Sequence, residues 1–105
     1  MLIEIFPYQE HIRYNDAKAE KTILAKTAHT QTTLWCLKPA QKISPHVHAG
    51  DHVWVVLEGE GRFLSEARDG IHVKAGSILS APAGLSHGIE NTGSLGLVFI
   101  SVSAG

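Results

Sequence analysis

Several features that define other classes of protein are missing from this sequence. Cys36 is the only cysteine, so no disulfide can form within the chain. No run of lysines or arginines occurs, and 9 basic and 10 acidic residues leave a formal net charge of −1. The charge balance argues against a nucleic-acid partner and against an anionic membrane surface. The longest apolar run covers residues 53–57, which is far too short to cross a bilayer.

The N-terminal residues also lack the pattern of a signal peptide. Residues 1–7 contain no basic residue, and Glu4 interrupts their apolar side chains. We therefore expect a cytoplasmic protein. The length of 105 residues fits one domain with one hydrophobic core, and 44% hydrophobic and 18% charged residues are typical of a globular chain.

Short β-favouring segments separated by Gly, Pro, Asn and Asp predict an all-β sandwich or barrel of about eight to ten strands. An edge or exchanged strand is expected at residues 2–6, ended by Pro7, and one helical turn within residues 15–21. The other strands are expected at residues 22–26, 31–38, 44–48, 52–58, 62–66, 71–74, 77–81, 86–90 and 95–102. Asp69-Gly70 is typical of a hairpin turn.

Histidine is unusually frequent, and four of the seven histidines fall in two short segments. His46 and His48 are two residues apart, so on a strand both imidazoles would lie on one face. His52 follows the turn-forming residues 49–51, and His87 comes from a distant strand. Imidazole is the commonest protein ligand for transition metals, which predicts a divalent metal site. No such pattern surrounds the remaining three histidines, which we interpret as surface or core residues: His11, His29 and His72.

The spacing around these histidines resembles the two motifs of the cupin family, G-x5-H-x-H-x3,4-E-x6-G and G-x5-P-x-G-x2-H-x3-N. The first spans about residues 40–59 and contains His46, His48, His52 and Gly59. The second spans residues 76–91, and all of its elements are present at the family spacing: Gly76, Pro82, Gly84, His87 and Asn91. The resemblance implies a single cupin domain over residues 1–105, a double-stranded β-helix or jelly-roll barrel, with an N-terminal strand and arm at residues 1–21.

Two positions depart from the family pattern. Ala40 replaces the first glycine, which we expect to change a turn only. His52 stands where glutamate is usual, and three interpretations are open. His52 ligates the metal, or it points outward and leaves a three-histidine site, or the site has lost its metal. We favour ligation, because histidine keeps a metal-binding donor at this position.

The sequence predicts the type of metal ion and the character of the pocket around it. Four neutral imidazoles leave the full +2 charge on one divalent transition metal ion, and Fe, Mn, Ni, Zn, Co and Cu all accept nitrogen ligands. Strand alternation predicts a largely apolar pocket lined by Trp54, Val56, Ile89 and either Trp35 or Cys36. The candidate general bases are few: a water molecule bound to the metal, and the weaker candidates Glu58 and Glu90.

Three functions are open, of which the first two involve a small-molecule substrate or ligand, and none has a nucleic-acid or membrane partner. The first is a metalloenzyme, either a dioxygenase or a Lewis-acid isomerase or lyase acting on a sugar or organic acid. The second is a non-catalytic module that binds or senses a small ligand, and the third is a structural metal site. A free apolar strand at residues 2–6 would be a liability, so a homodimer is predicted; a sedimentation mass of one chain would exclude it.

Overall fold

The computed structural model describes residues 3–66 and 70–104. A 3-10 helix, Tyr8–His11, precedes nine strands: β1 Glu20–Lys26, β2 Thr30–Leu37, β3 Lys42–Val47, β4 Asp51–Glu58, β5 Glu60–Leu64, β6 Ile71–Lys74, β7 Ile78–Ala81, β8 Ser86–Glu90 and β9 Leu97–Ala104. The nine strands expected after residue 21 are all present, with ends within two residues of the predicted ones. The chain is all-β, as predicted.

The strands form two antiparallel sheets that face each other across one core. The five-stranded sheet has the order β1-β2-β9-β4-β7, and the four-stranded sheet has the order β3-β8-β5-β6. Seven buried side chains fill the space between the sheets: Leu37, Trp54, Val56, Val73, Ile89, Leu97 and Phe99. Alternation along β2 and β9 turns Leu34, Cys36 and Val98 to the other face, where Tyr8 and Ile12 cover them.

Two elements expected near the N-terminus are absent within the described chain, and exchange of residues 2–6 with a second copy stays a prediction. Residues 3–7 form no strand, and Ile3 and Ile5 are 94% and 88% exposed, so this segment gains no apolar burial within the chain. Residue 2 lies outside the described residues. The predicted helical turn at residues 15–21 is also absent, because the Asn15 side chain accepts a hydrogen bond from the Ala17 amide and forms a bend.

The ends of the two motifs are joined by a buried asparagine. Asn91 is 1% exposed, and its side-chain amide donates to the carbonyl oxygens of Leu37 and Leu95, each at 2.9 Å. Its backbone oxygen accepts from the Ala40 amide at 3.0 Å. Ala40 has a φ of 72°, which is the left-handed conformation that glycine adopts without strain. Alanine at position 40 therefore keeps the left-handed turn of the motif's glycine, at the cost of backbone strain at Ala40.

Asp69 lies outside the described residues, so the predicted hairpin is known only at Gly70, whose φ is 79°. Among the described residues no helix is long and apolar enough to cross a membrane.

Candidate metal centre

Three strands and one loop bring the four motif histidines together. His46 on β3 lies directly opposite His87 on β8. His48 follows β3 in the loop to β4, and His52 is the second residue of β4, in the other sheet. The ring centres of His46 and His48 are 4.3 Å apart, those of His48 and His52 are 4.3 Å apart, and those of His52 and His87 are 4.8 Å apart. The site therefore spans both sheets at one end of the barrel.

A bulge in β3 decides which way His46 points. Ile43 pairs with Ile89 and His46 pairs with His87, so β3 has one residue more than β8 between these pairs. Without that extra residue Ile43 and His46 would lie on opposite faces of the sheet. Gly88 makes room for the bulge, since a Cβ there would lie only 2.7 Å from the Pro45 nitrogen.

Hydrogen bonds fix which ring nitrogens are available for a metal. The Nδ1 atom of His46 donates to the Ser44 carbonyl at 2.9 Å, and that of His87 donates to the Leu85 carbonyl at 3.2 Å. Such bonds leave the Nε2 atoms as neutral donors of electron pairs. Within the described residues His87 Nε2 and His52 Nδ1 are buried and have no hydrogen-bond partner. An unsatisfied buried nitrogen is costly unless it ligates an ion, so this donor set fits a transition metal.

His52 differs from the other three histidines. One nitrogen each of His46, His48 and His87 lies within 4.8 Å of the other two, and His52 is not part of this compact group. Its side chain is 9% exposed and its ring contacts two members of the group. The structure thus places three histidines as a ready metal-binding group with His52 at its edge.

Two hydrogen bonds from backbone amides hold the loops beside the site. The carboxylate of Asp51 accepts a hydrogen bond from the Ala83 amide at 2.8 Å. The His48 carbonyl accepts another from the Gly84 amide at 3.0 Å. The loop of the second motif is thereby attached to the loop that carries His48.

A cavity of about 530 Å³ opens beside the histidines. Trp35 and Trp54 line it, whereas Val56 and Ile89 belong to the core cluster and are not among its lining residues. The pocket is also more polar than expected. Its wall includes two lysines, one further histidine and several hydroxyl and amide side chains: Lys21, Lys26, His29, Thr27, Thr30, Gln31, Thr33, Ser101 and Ser103. Sequence reasoning missed these residues, because their side chains meet only through pairing between distant strands.

The two glutamates suggested as general bases lie elsewhere. The Glu58 carboxylate accepts a hydrogen bond from the Tyr8 hydroxyl at 2.9 Å, because a bulge between Val56 and Glu58 changes the face on which Glu58 lies. Glu90 lies 3.8 Å from Arg62 in an ion pair. Of the three histidines set aside, His29 lines the cavity, His11 packs on Phe6 and His72 contacts Glu60.

Burial lowers the pKa of three of the clustered histidines. For His52, burial and the neighbouring imidazoles lower the pKa to about 4, against an ordinary value of 6.5. Burial also lowers the pKa of His48 and His87, with His46 adding repulsion in both cases. A proton and a metal ion compete for the same ring nitrogen, and a histidine with a lowered pKa takes up its proton only at lower pH. Competition between protons and the metal therefore shifts to lower pH.

We therefore expect half of the bound metal to be released below the pH of 6.5 at which a free imidazole titrates, because burial lowers the pKa of His48 and His87. Equilibrium dialysis at a series of pH values, followed by elemental analysis, would measure it. Loss of half the metal at or above pH 6.5 would contradict the expectation.

Both the sequence and the fold of this chain are similar to those of known proteins. A family model described as a cupin domain matches residues 33–103. An oxalate-binding protein from Thermotoga maritima is 35% identical in an alignment 85 residues long, which covers 76% of this chain and 69% of that relative. Among solved structures, a Klebsiella pneumoniae protein with a double-stranded beta-helix domain has a TM-score of 0.91 at 31% identity, covering 98% of this chain and 90% of that one. A predicted oxalate decarboxylase from Thermotoga maritima has a TM-score of 0.76 at 28% identity, covering 82% and 79% of the two chains.

Proposed function

This chain belongs to the cupin family, and from that premise we propose that it is a single-domain cupin that binds a small organic acid anion at one divalent transition metal ion. His46, His48 and His87 would hold the ion, and His52 would complete the set. The observation that carries this proposal is that one nitrogen each of His46, His48 and His87 lies within 4.8 Å of the other two, beside a cavity. Among the described residues the buried His87 Nε2 has no hydrogen-bond partner.

The charge of the site favours an anion. Cupins commonly bind a metal, and a divalent ion held by neutral imidazoles would keep its full charge. Lys21 and Lys26 add positive charge to the cavity wall, and no Asp or Glu is among its lining residues in the described part of the chain. A carboxylate ligand would therefore meet positive charge and polar donors on entering. The similarity to an oxalate-binding protein supports the same class of ligand.

Binding fits the cavity better than acid–base turnover does. A reaction that moves a proton needs a group within hydrogen-bond reach of the substrate. Glu58 and Glu90 are both engaged elsewhere, as described above. Among the described residues that line the cavity, the titratable side chains outside the proposed metal set are His29, Lys21 and Lys26.

A metalloenzyme is the second candidate, either a dioxygenase or a Lewis-acid isomerase or lyase. The open cavity beside the histidines favours it, since a substrate could approach the ion from that side. When bound, the ion would supply Lewis-acid or redox chemistry. The chain's own contribution would be to orient the substrate between Trp35, Trp54 and the polar wall.

Calorimetric titration of metal-loaded and chelator-treated protein with oxalate tests the proposal. The protein should be purified without an affinity tag, and elemental analysis should find about one equivalent of a transition metal. We expect oxalate to bind the loaded form at least about tenfold more tightly than the stripped form, with acetate as the matched monocarboxylate control. Equal binding to both forms, or none to the loaded form, would refute it. Oxygen uptake or formate release during the same incubation would favour the enzyme.

A further inference from the structure

We propose that the cavity contains a second anion subsite, formed by Lys26 and Lys21, and that the ligand is an organic acid with two acidic groups several carbons apart. The inference rests on the proposed function, because it assumes that the first acidic group sits at the histidines. It concerns the opposite end of the cavity, to which the motifs assign no role.

A continuous row of facing residues joins the histidines to Lys26. In the five-stranded sheet His52 pairs with Ser103, Ser103 pairs with Gln31, and Gln31 pairs with Lys26. All four side chains line the cavity. Neighbouring strands are about 4.8 Å apart, so the His52 and Lys26 backbones lie roughly 14 Å from each other. A ligand reaching from the histidines toward Lys26 would pass over Ser103 and Gln31.

A bulge in β1 puts both lysines on the cavity. The pairing of β1 with β2 shifts between Ile23 and Ala25. Lys21 and Lys26 are an odd number of residues apart, so in a regular strand they would lie on opposite faces. The extra residue, Leu24, packs on the other face of the sheet, and Lys21 and Lys26 both border the cavity. The Lys21 ammonium lies 5.9 Å from the Trp35 ring, a contact that holds this charge over the cavity wall.

The wall between the two ends is polar where the rest of the barrel interior is apolar. Thr33 and Ser101 pair with each other and are only 5% and 7% exposed. Two residues away on the same two strands, the rings of Trp35 and Phe99 stack with their centres 6.2 Å apart, and the apolar core begins there. The Gln31 side-chain amide donates a hydrogen bond to the Thr33 hydroxyl at 3.3 Å, so this part of the wall presents connected polar groups to the cavity. Such a wall suits a ligand with oxygen atoms along its length.

The size of the cavity points the same way. Oxalate has two carbons and would fill a small part of about 530 Å³, a volume within the range of sites for larger ligands. With one carboxylate at the histidines, oxalate could not extend to Lys26. A linear dicarboxylate of about four to six carbons could approach both ends once the Lys26 side chain reaches inward.

The test is a calorimetric comparison of oxalate, succinate and adipate on the metal-loaded protein. The variants are Lys26→Gln, Lys21→Gln and the double variant, which remove charge and keep length. Lys74→Gln is the matched control, since Lys74 is an exposed lysine on β6 that does not line the cavity. Of succinate and adipate, we consider the one that binds the unmodified protein more tightly, and expect the double variant to weaken its binding about tenfold or more. Of the single variants, Lys26→Gln should have the larger effect. The affinity for oxalate should change less than about twofold.

The outcomes separate this inference from the proposed function. If oxalate binds and both longer acids bind independently of the lysines, the metal-centred function stands and the second subsite is wrong. If the longer acids bind in a lysine-dependent way and oxalate does not bind, the subsite stands and the oxalate-class ligand is wrong. If none of the three acids binds the loaded protein, both are overturned.

Discussion

Replacing His87 by alanine is expected to reduce bound metal from about one equivalent to less than about a tenth. His87 is 1% exposed, contacts the rings of His46, His48 and His52, and carries a buried nitrogen with no other partner among the described residues. Altering a residue that only orients a ligand already costs about 10–100-fold in affinity, so losing a ligand should cost more. Elemental analysis of protein purified without a tag would measure the loss.

His52→Ala should have a smaller effect on metal content, because the compact group of nitrogens comprises the other three histidines. His72→Ala is the matched control, since His72 is exposed and contacts Glu60. His87→Gln should also lose metal while filling more of the space, which separates ligation from packing when thermal unfolding is measured beside it. Full metal content in both His87 variants would refute the proposed centre.

The second large effect concerns stability: Gly59→Ala should lower the free energy of unfolding by about 3 kcal/mol or more. Gly59 has a φ of +82°, where an alanine costs about 1–2 kcal/mol. Its new Cβ would also collide with the Gly96 carbonyl oxygen and lie 3.0 Å from the Leu97 Cα. Both are backbone atoms of the turn into the buried strand β9, so neither can move by a simple rotation.

Two substitutions isolate the steric part of that loss. Gly84 has a nearly equal φ of +87°, but nothing lies within 4 Å of its added Cβ, so Gly84→Ala should cost only about 1 kcal/mol. Ala40→Gly should stabilise the chain by up to about 1 kcal/mol, because Ala40 holds the left-handed conformation at φ 72°. Urea unfolding of the three variants provides the values. Equal losses for Gly59→Ala and Gly84→Ala would mean that the backbone adjusts and the collision is relieved.

Much of this molecule follows from local sequence. Turn residues between β-favouring segments located nine strands within two residues, since turn chemistry and side-chain alternation act over a few neighbours. The two motifs identified the family and the histidines that lie together. The residue spacing within each motif reflects the geometry of a turn, which depends on neighbouring residues only. The same local reading failed at residues 3–7, where a strand needs a partner that the rest of the described chain does not provide.

Tertiary structure decided what local patterns could not. Bulges in β1, β3 and β4 each shift alternation by one residue, which places Lys26 on the cavity, His46 opposite His87 and Glu58 against Tyr8. A bulge changes every later side chain from one face to the other, yet it leaves the local sequence pattern almost unchanged. The polar wall likewise depends on the register between β1, β2, β9 and β4, which are far apart in the chain. The histidines were therefore predictable from sequence, whereas the cavity beside them was determined by strand pairing.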